Sequence, residues 1–204
     1  MDKDILIKDI PIGMFHNKTV LLTGATGLVG THFLYAFADM RLKGGDVNVI
    51  ALGTNFPPKH LEWLLQPPFV KYSICDLSTM DIKSYFNGVD IIIHAATYGQ
   101  PQKFMDNPVS TIKLNTSVVI DLIEKIKSGG KFLFVSSSEV YSGLDVDSFT
   151  EDVVGTTNPE HPRACYIESK RCGEAIVNIY RNKGIDAKSV RLCLAYGEGT
   201  KKDD

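Results

Sequence analysis

An α/β fold, a doubly wound parallel sheet, is the architecture this sequence predicts, and three observations predict it. Short β-rich runs alternate with longer helical stretches, separated by turn residues. The runs are apolar almost throughout, as strands buried on both faces must be. A glycine-spaced turn, GATGLVG, joins the first run to the first helical stretch.

In chain order, TVLLTG (19–24) is the first strand, and a helix follows it to about Met40. VNVIALG (47–53) and VKYSICDL (70–77) are the next two strands. LEWLLQPP (61–68) stands where the second crossover belongs, and its two prolines end any helix there. VDIIIHAAT (89–97) is the fourth strand, and the amphipathic stretch 109–128 reads as one long helix. KFLFVSSS (131–138), a helix over 163–182 and a last strand, AKSVRLCLAYG (187–197), complete the pattern. Residues 1–18 precede it as an extension, so 19–204 form one domain.

Composition narrows the classes. A net charge of −2 gives no electrostatic footprint for nucleic acid or an anionic membrane. The acidic start MDKDILIKDI is unlike a secretory signal, and no apolar run reaches membrane-spanning length. Cys75, Cys165, Cys172 and Cys193 are scattered without metal-ligand spacing, so reduced thiols, no metal and a cytoplasmic setting are expected.

The glycine turn is the first functional signal. Gly24, Gly27 and Gly30 lie three apart between strand and helix, where side chains would keep a pyrophosphate from the helix N-terminus. That context makes a dinucleotide site, with Thr26, Leu28 and Val29 lining the turn. The second signal is a pair: Tyr166 and Lys170, four apart, share one helix face. The third is the serine-rich strand end FVSSSEVYSG (134–143), which presents Ser136, Ser137, Ser138 and Glu139 at the carboxyl edge of the sheet. By themselves the pair could be solvated and the serines could merely cap the next loop.

Together, GxxGxxG, HAA after the fourth strand, the serines after the fifth and YxxxK resemble the extended short-chain dehydrogenase/reductase family, over residues 19 to about 200. The resemblance implies a Rossmann fold, NAD or NADP, and a nucleotide-sugar substrate. It places Asp76 and Leu77 at the adenine and Ala95, Ala96 and Thr97 along the cofactor channel. Asp76 serves equally well as a turn or helix cap. Asn115 is placed to support the lysine through water, against the alternative of an exposed helical Asn. The acidic residue that grips the ribose at the end of the second strand is missing, since Gly53, Thr54 and Asn55 stand there. The expected cofactor is NAD, with NADP not excluded.

The resemblance also assigns the chemistry. Tyr166 is the base for a sugar hydroxyl, and a phenol of pKa about 10 needs help. Lys170 is expected to lower that pKa and hold the nicotinamide ribose, with Ser137 on the same sugar oxygen. The 4,6-dehydratases carry Asp-Glu where this chain has Ser138-Glu139, which argues against dehydration. UDP-glucuronate decarboxylases carry Ser-Glu there and share the frame PRACYIESKR (162–171). Glu139 would then handle a proton at C5, or else bind its own loop or Arg163. The leading expectation is a decarboxylase-like enzyme working through a 4-keto sugar, with a 4-epimerase next to it. A cofactor-sensing module and a ketone or steroid reductase are the competing classes. Family members continue into a small substrate domain, so a chain stopping at GEGTKKDD is expected to be a fragment. The family's helices pair across a dimer axis, which implies a homodimer, although the stripe Cys172, Ala175, Ile176 and Ile179 is equally explained by packing on the sheet.

Overall fold

The computed structural model describes residues 12–65, 70–82 and 88–195. Six parallel strands run β1 (Lys18–Thr23), β2 (Val47–Gly53), β3 (Lys71–Ile74), β4 (Val89–His94), β5 (Ile126–Ser137) and β6 (Asp186–Leu192). Their order in the sheet is β3-β2-β1-β4-β5-β6. That order is the doubly wound dinucleotide-binding arrangement, whose direction reverses between β1 and β4. A crevice opens there at the carboxyl ends of the strands.

Among the described residues five helices cover the sheet: α1 (Leu28–Leu42), α2 (Pro101–Asp106), α3 (Pro108–Asn115), α4 (Ser117–Ile123) and α5 (Ala164–Asn182). One core lies under α1, where Leu34, Phe37 and Met40 meet Val20, Leu22, Val49 and Ala51. The other lies under α3, α4 and α5, where Leu114, Val119, Leu122 and Ile176 meet Leu21, Ile92 and Phe134. Gly44, at φ +85°, ends α1 with its N–H on the carbonyl of Arg41. Phe15 packs edge-on against Phe37 at 5.5 Å, so the end of the N-terminal extension docks on the first core. Residues 1–11 lie outside the described residues.

Several boundaries differ from expectation. The helix expected over 109–128 is divided at Thr116, where φ −127° and ψ −84° leave the helical region. It also ends early, because β5 begins at Ile126. The reason is a register shift: Val89 pairs with Ile126 but Ile91 pairs with Lys131. Gly129, at φ +75°, lies in that irregular stretch, in a conformation glycine tolerates best. The second crossover holds a 3₁₀ turn, Lys59–Leu61, in place of a longer helix. Leu61 and Leu64 still reach the first core, while 66–69 lie outside the described residues. β3 and β6 are shorter than expected, and 196–204 also lie outside the described residues.

Candidate active site

The glycine turn closes tightly on β4. Gly24 has φ +67°, and a Cβ there would stand 2.7 Å from the backbone of Ala95. A Cβ on Gly30 would lie 2.2 Å from the carbonyl oxygen of Gly24. Gly27 caps α1, and the first helical bond runs from the Thr31 N–H to the Gly27 carbonyl. The N–H groups of Leu28, Val29 and Gly30 therefore precede that bond and face out of the helix end. A pyrophosphate is the ligand such a cradle fits.

A buried network holds the other wall, one the sequence did not disclose. The Ala96 N–H donates to Thr23 Oγ1 at 3.2 Å, and the Thr23 hydroxyl lies 2.7 Å from His94 Nδ1. His94 Nε2 lies 2.8 Å from the Leu114 carbonyl, which can only accept, so Nε2 carries the proton and Nδ1 accepts from Thr23. Burial lowers the His94 pKa to about 4, which keeps the ring neutral. The chain of bonds fixes Ala95 and Ala96 opposite the glycine turn. Thr97 Oγ1, next along, is buried with no hydrogen-bond partner among the described residues. The glycine cradle and that unpartnered hydroxyl fit a bound dinucleotide. Asp76 is engaged locally: its Oδ1 accepts from the N–H and the hydroxyl of Ser78, at 2.9 and 2.8 Å. The turn-forming alternative for Asp76 is thus realised, and Leu77 beside it is buried.

The chemical residues converge at the end of β5. Ser137 accepts from the Glu139 N–H at 3.2 Å, and its hydroxyl lies on the side of Tyr166, where it favours the phenolate. Tyr166 stacks on Phe104 with ring centroids 4.6 Å apart. Lys170, fully buried, donates to the Val135 carbonyl at 2.7 Å, and its Nζ lies 5.7 Å from the Tyr166 ring centre.

The electrostatics correct one expectation. The Tyr166 pKa is raised, chiefly by burial, and the Lys170 pKa is lowered by burial to about 7. The two groups share a dry pocket, where desolvation penalises the phenolate and the ammonium alike. Ser137 and Arg163 act to lower the phenol's pKa, against burial and the nearby Glu139.

The serines split by strand alternation. Ser137 faces Tyr166, whereas Ser136 does not face the cofactor side as expected: its hydroxyl donates to Glu174 at 2.6 Å. Glu174 also holds Arg191, whose guanidinium reaches the Tyr141 hydroxyl and the carbonyls of Glu151 and Val153. Arg191 ties β6, α5 and the loop after β5 together, a role the sequence did not reveal. The arginines framing the Tyr-Lys pair have a shared role. Arg163 pairs with Glu139 at 2.5 Å, and Arg171 donates to the carbonyls of Val140 and Ser142 at 3.0 Å each. Both ends of the Glu139–Ser142 turn are clamped to α5.

Asn115 is buried, which removes the exposed alternative. Its Nδ2 donates to Ser169 Oγ at 2.9 Å, and its Oδ1 has no partner among the described residues. Among the described residues no cluster of His, Cys, Asp and Glu could hold a metal, and no helix is long and apolar enough to cross a membrane. All four cysteines are free thiols.

The sequence model of the NAD dependent epimerase/dehydratase family matches residues 20–204. The chain belongs to that family. UDP-glucuronic acid decarboxylase 1 of Danio rerio is 30% identical over 191 residues, 92% of this chain and 44% of the relative. UDP-glucuronic acid decarboxylase 6 of Arabidopsis thaliana is 30% identical over 195 residues, 92% of this chain and 54% of the relative. The chain spans about half the length of these relatives. Among solved structures, the dTDP-glucose 4,6-dehydratase of Streptomyces venezuelae, with NAD bound, superposes at TM-score 0.72, with 22% identity over 91% of this chain and 59% of that one. The UDP-glucuronic acid 4-epimerase of Bacillus cereus, in complex with NAD, gives 0.69, with 22% identity over 91% of this chain and 60% of that one. The fold is theirs, and NAD is the family's cofactor.

Proposed function

We propose that this chain forms the dinucleotide-binding and catalytic part of a nucleotide-sugar enzyme that works through a transient 4-keto sugar, with decarboxylase-like chemistry. The observation that carries the reading is the convergence of Ser137, Tyr166 and the buried Lys170 at the carboxyl edge of the sheet. The 30% identity to UDP-glucuronic acid decarboxylases supports the subtype. NAD, when bound, accepts a hydride from the sugar and returns it.

The chain's own residues handle the protons. Tyr166 exchanges one with the C4 oxygen, and Ser137 hydrogen-bonds the same oxygen. The ammonium form of Lys170 stabilises the phenolate as it develops, although burial keeps the resting phenol protonated. Once C4 is a ketone, a C5 carboxylate is a β-keto acid: the C5–C6 bond breaks, carbon dioxide leaves, and the electron pair passes into the C4 enolate. C5 must then gain a proton, a role assigned in this reading to Glu139, which is held by Arg163 and the Ser142 hydroxyl. The Glu139–Arg163 pair realises the structural alternative as well, so Glu139 acts from a fixed position. Asn115 Oδ1 supports the Tyr166–Lys170 turn of α5 through water.

Incubating the protein with NAD and a panel of UDP- and dTDP-sugars, with products weighed by mass spectrometry, tests the subtype. Loss of carbon dioxide from UDP-glucuronate, abolished in Glu139→Gln, is expected. Loss of water, or unchanged mass with altered stereochemistry, would assign a dehydratase or an epimerase. No product from any sugar would favour the reductase or sensor classes.

A homodimer is part of this reading. Val109, Ile112 and Ile120 on α3 and α4 are exposed, as are Cys172, Ala175 and Ile179 on α5. The core takes Ile176 and Val177, so of the stripe Cys172, Ala175, Ile176 and Ile179 only Ile176 is explained by packing on the sheet. Light scattering that gave a monomer at micromolar concentration would contradict it.

A further inference from the structure

The end of β2 carries Gly53 where a carboxylate ordinarily grips the adenosine ribose. Its place is filled from the neighbouring strand. Tyr72 pairs with Ala51 in the β2–β3 register, and alternate residues share a face, so Tyr72, Ala51 and Gly53 lie on one side of the sheet. Both Ala51 and Tyr72 pack with the α1 core, on the same side as the glycine turn. The tyrosine ring extends along the strands until its hydroxyl stands where a Gly53 side chain would begin: a Cβ there would lie 2.3 Å from Tyr72 Oη. The same Cβ would be 3.3 Å from Thr26 Oγ1, in the glycine turn itself. Tyr72 Oη donates to the Asn55 carbonyl at 2.6 Å, and the Thr26 side chain lies beside the phenol. Any side chain at 53 would therefore have to displace the Tyr72 hydroxyl from the Asn55 carbonyl.

The geometry points to Tyr72, with Thr26, as the neutral ribose-recognition pair of this site and the determinant of its cofactor choice. A carboxylate accepts a hydrogen bond from the ribose 2′-hydroxyl and repels a 2′-phosphate. With its proton on the Asn55 carbonyl, the Tyr72 oxygen accepts from the ribose 2′-hydroxyl, and it could donate to a 2′-phosphate only by turning that proton away from Asn55; both hydroxyls are uncharged, so neither cofactor is excluded by charge. No arginine lies in the 53–59 segment to reward the phosphate, and Lys59 at its end is the one cation there. The chain is thus built to bind NAD and NADP with affinities within about tenfold of each other, since neither a carboxylate nor an arginine stands at the end of β2 to separate them. The inference rests on the dinucleotide site described above.

Calorimetric titration of the protein with NAD and with NADP tests it, alongside Tyr72→Phe and the double variant Gly53→Asp/Tyr72→Ala. Wild-type dissociation constants within about tenfold of each other are expected. Tyr72→Phe should weaken NAD by about three- to tenfold, the loss of one neutral hydrogen bond. The double variant restores a carboxylate without the clash and should prefer NAD by more than about tenfold, a gain that misfolding cannot produce. A wild-type preference beyond about tenfold for either cofactor, or Tyr72→Phe binding NAD as tightly as wild type, would overturn the assignment. Binding of neither dinucleotide would instead overturn the reading of the site as a cofactor site.

Discussion

Tyr166 and Lys170 show how a dry pocket alters two familiar groups in opposite directions. The phenol is made harder to ionise and the ammonium easier to neutralise, because each loses hydration in its charged form. Replacing Tyr166 with Phe removes the proton-exchanging oxygen while keeping the stack on Phe104, so turnover should fall by about 10²- to 10⁴-fold with NAD binding little changed. Steady-state kinetics beside calorimetry would show the split. Lys170 has a stability signature. Its folded pKa of about 7 lies below the ordinary value of about 10.4, so between them the unfolded chain holds a proton the folded chain lacks. Stability contributed at this position therefore rises as pH climbs from about 7 towards 10, and burial of the ammonium costs most below 7. Lys170→Met should be more stable than wild type at pH 6 in urea titrations, with the gap closing as pH rises. A pH-independent gap would contradict the assignment.

Among the elements, the walls of the crevice depend on groups that lie behind it. His94 is neutral in the fold, with a pKa of about 4 against an ordinary 6.5. The unfolded chain therefore binds the extra proton between these values, and stability is lost as pH falls through that window. His94→Gln should flatten that acid limb in thermal melts while lowering stability at pH 7 through the lost Thr23 and Leu114 bonds. On the opposite side α5 comes close to α3 at Gly173, where a Cβ would lie 2.6 Å from the Asn115 carbonyl and from the Phe134 ring. Gly173→Ala should therefore lower stability by about 1–3 kcal/mol, as overpacking does, and shift Asn115. Melting temperature is the readout.

Across the whole molecule, the sheet was legible in the sequence because buried parallel strands are nearly uniform apolar runs, and VLL, IIIH and FLFV show that plainly. Gly24, Gly27 and Gly30 were legible because a tight strand-to-helix turn admits little else. What stayed hidden depends on contacts distant in sequence. The division of the 109–128 stretch at Thr116 and the early start of β5 follow from pairing with β4, which no helical period records. Ser136 and Ser137 look alike in sequence, and only the strand's alternation sends one to Glu174 and the other to Tyr166. The phenol's raised pKa was hidden for the same reason, since burial is a property of the assembled pocket. The proposed hydride exchange at a sugar C4 is the claim to test. The direct measurement is to incubate the protein and NAD with UDP-glucuronate deuterated at C4 and follow the label by mass spectrometry. The account predicts that deuterium passes to the cofactor and returns to a product lighter by carbon dioxide; a cofactor that never acquires the label would contradict it.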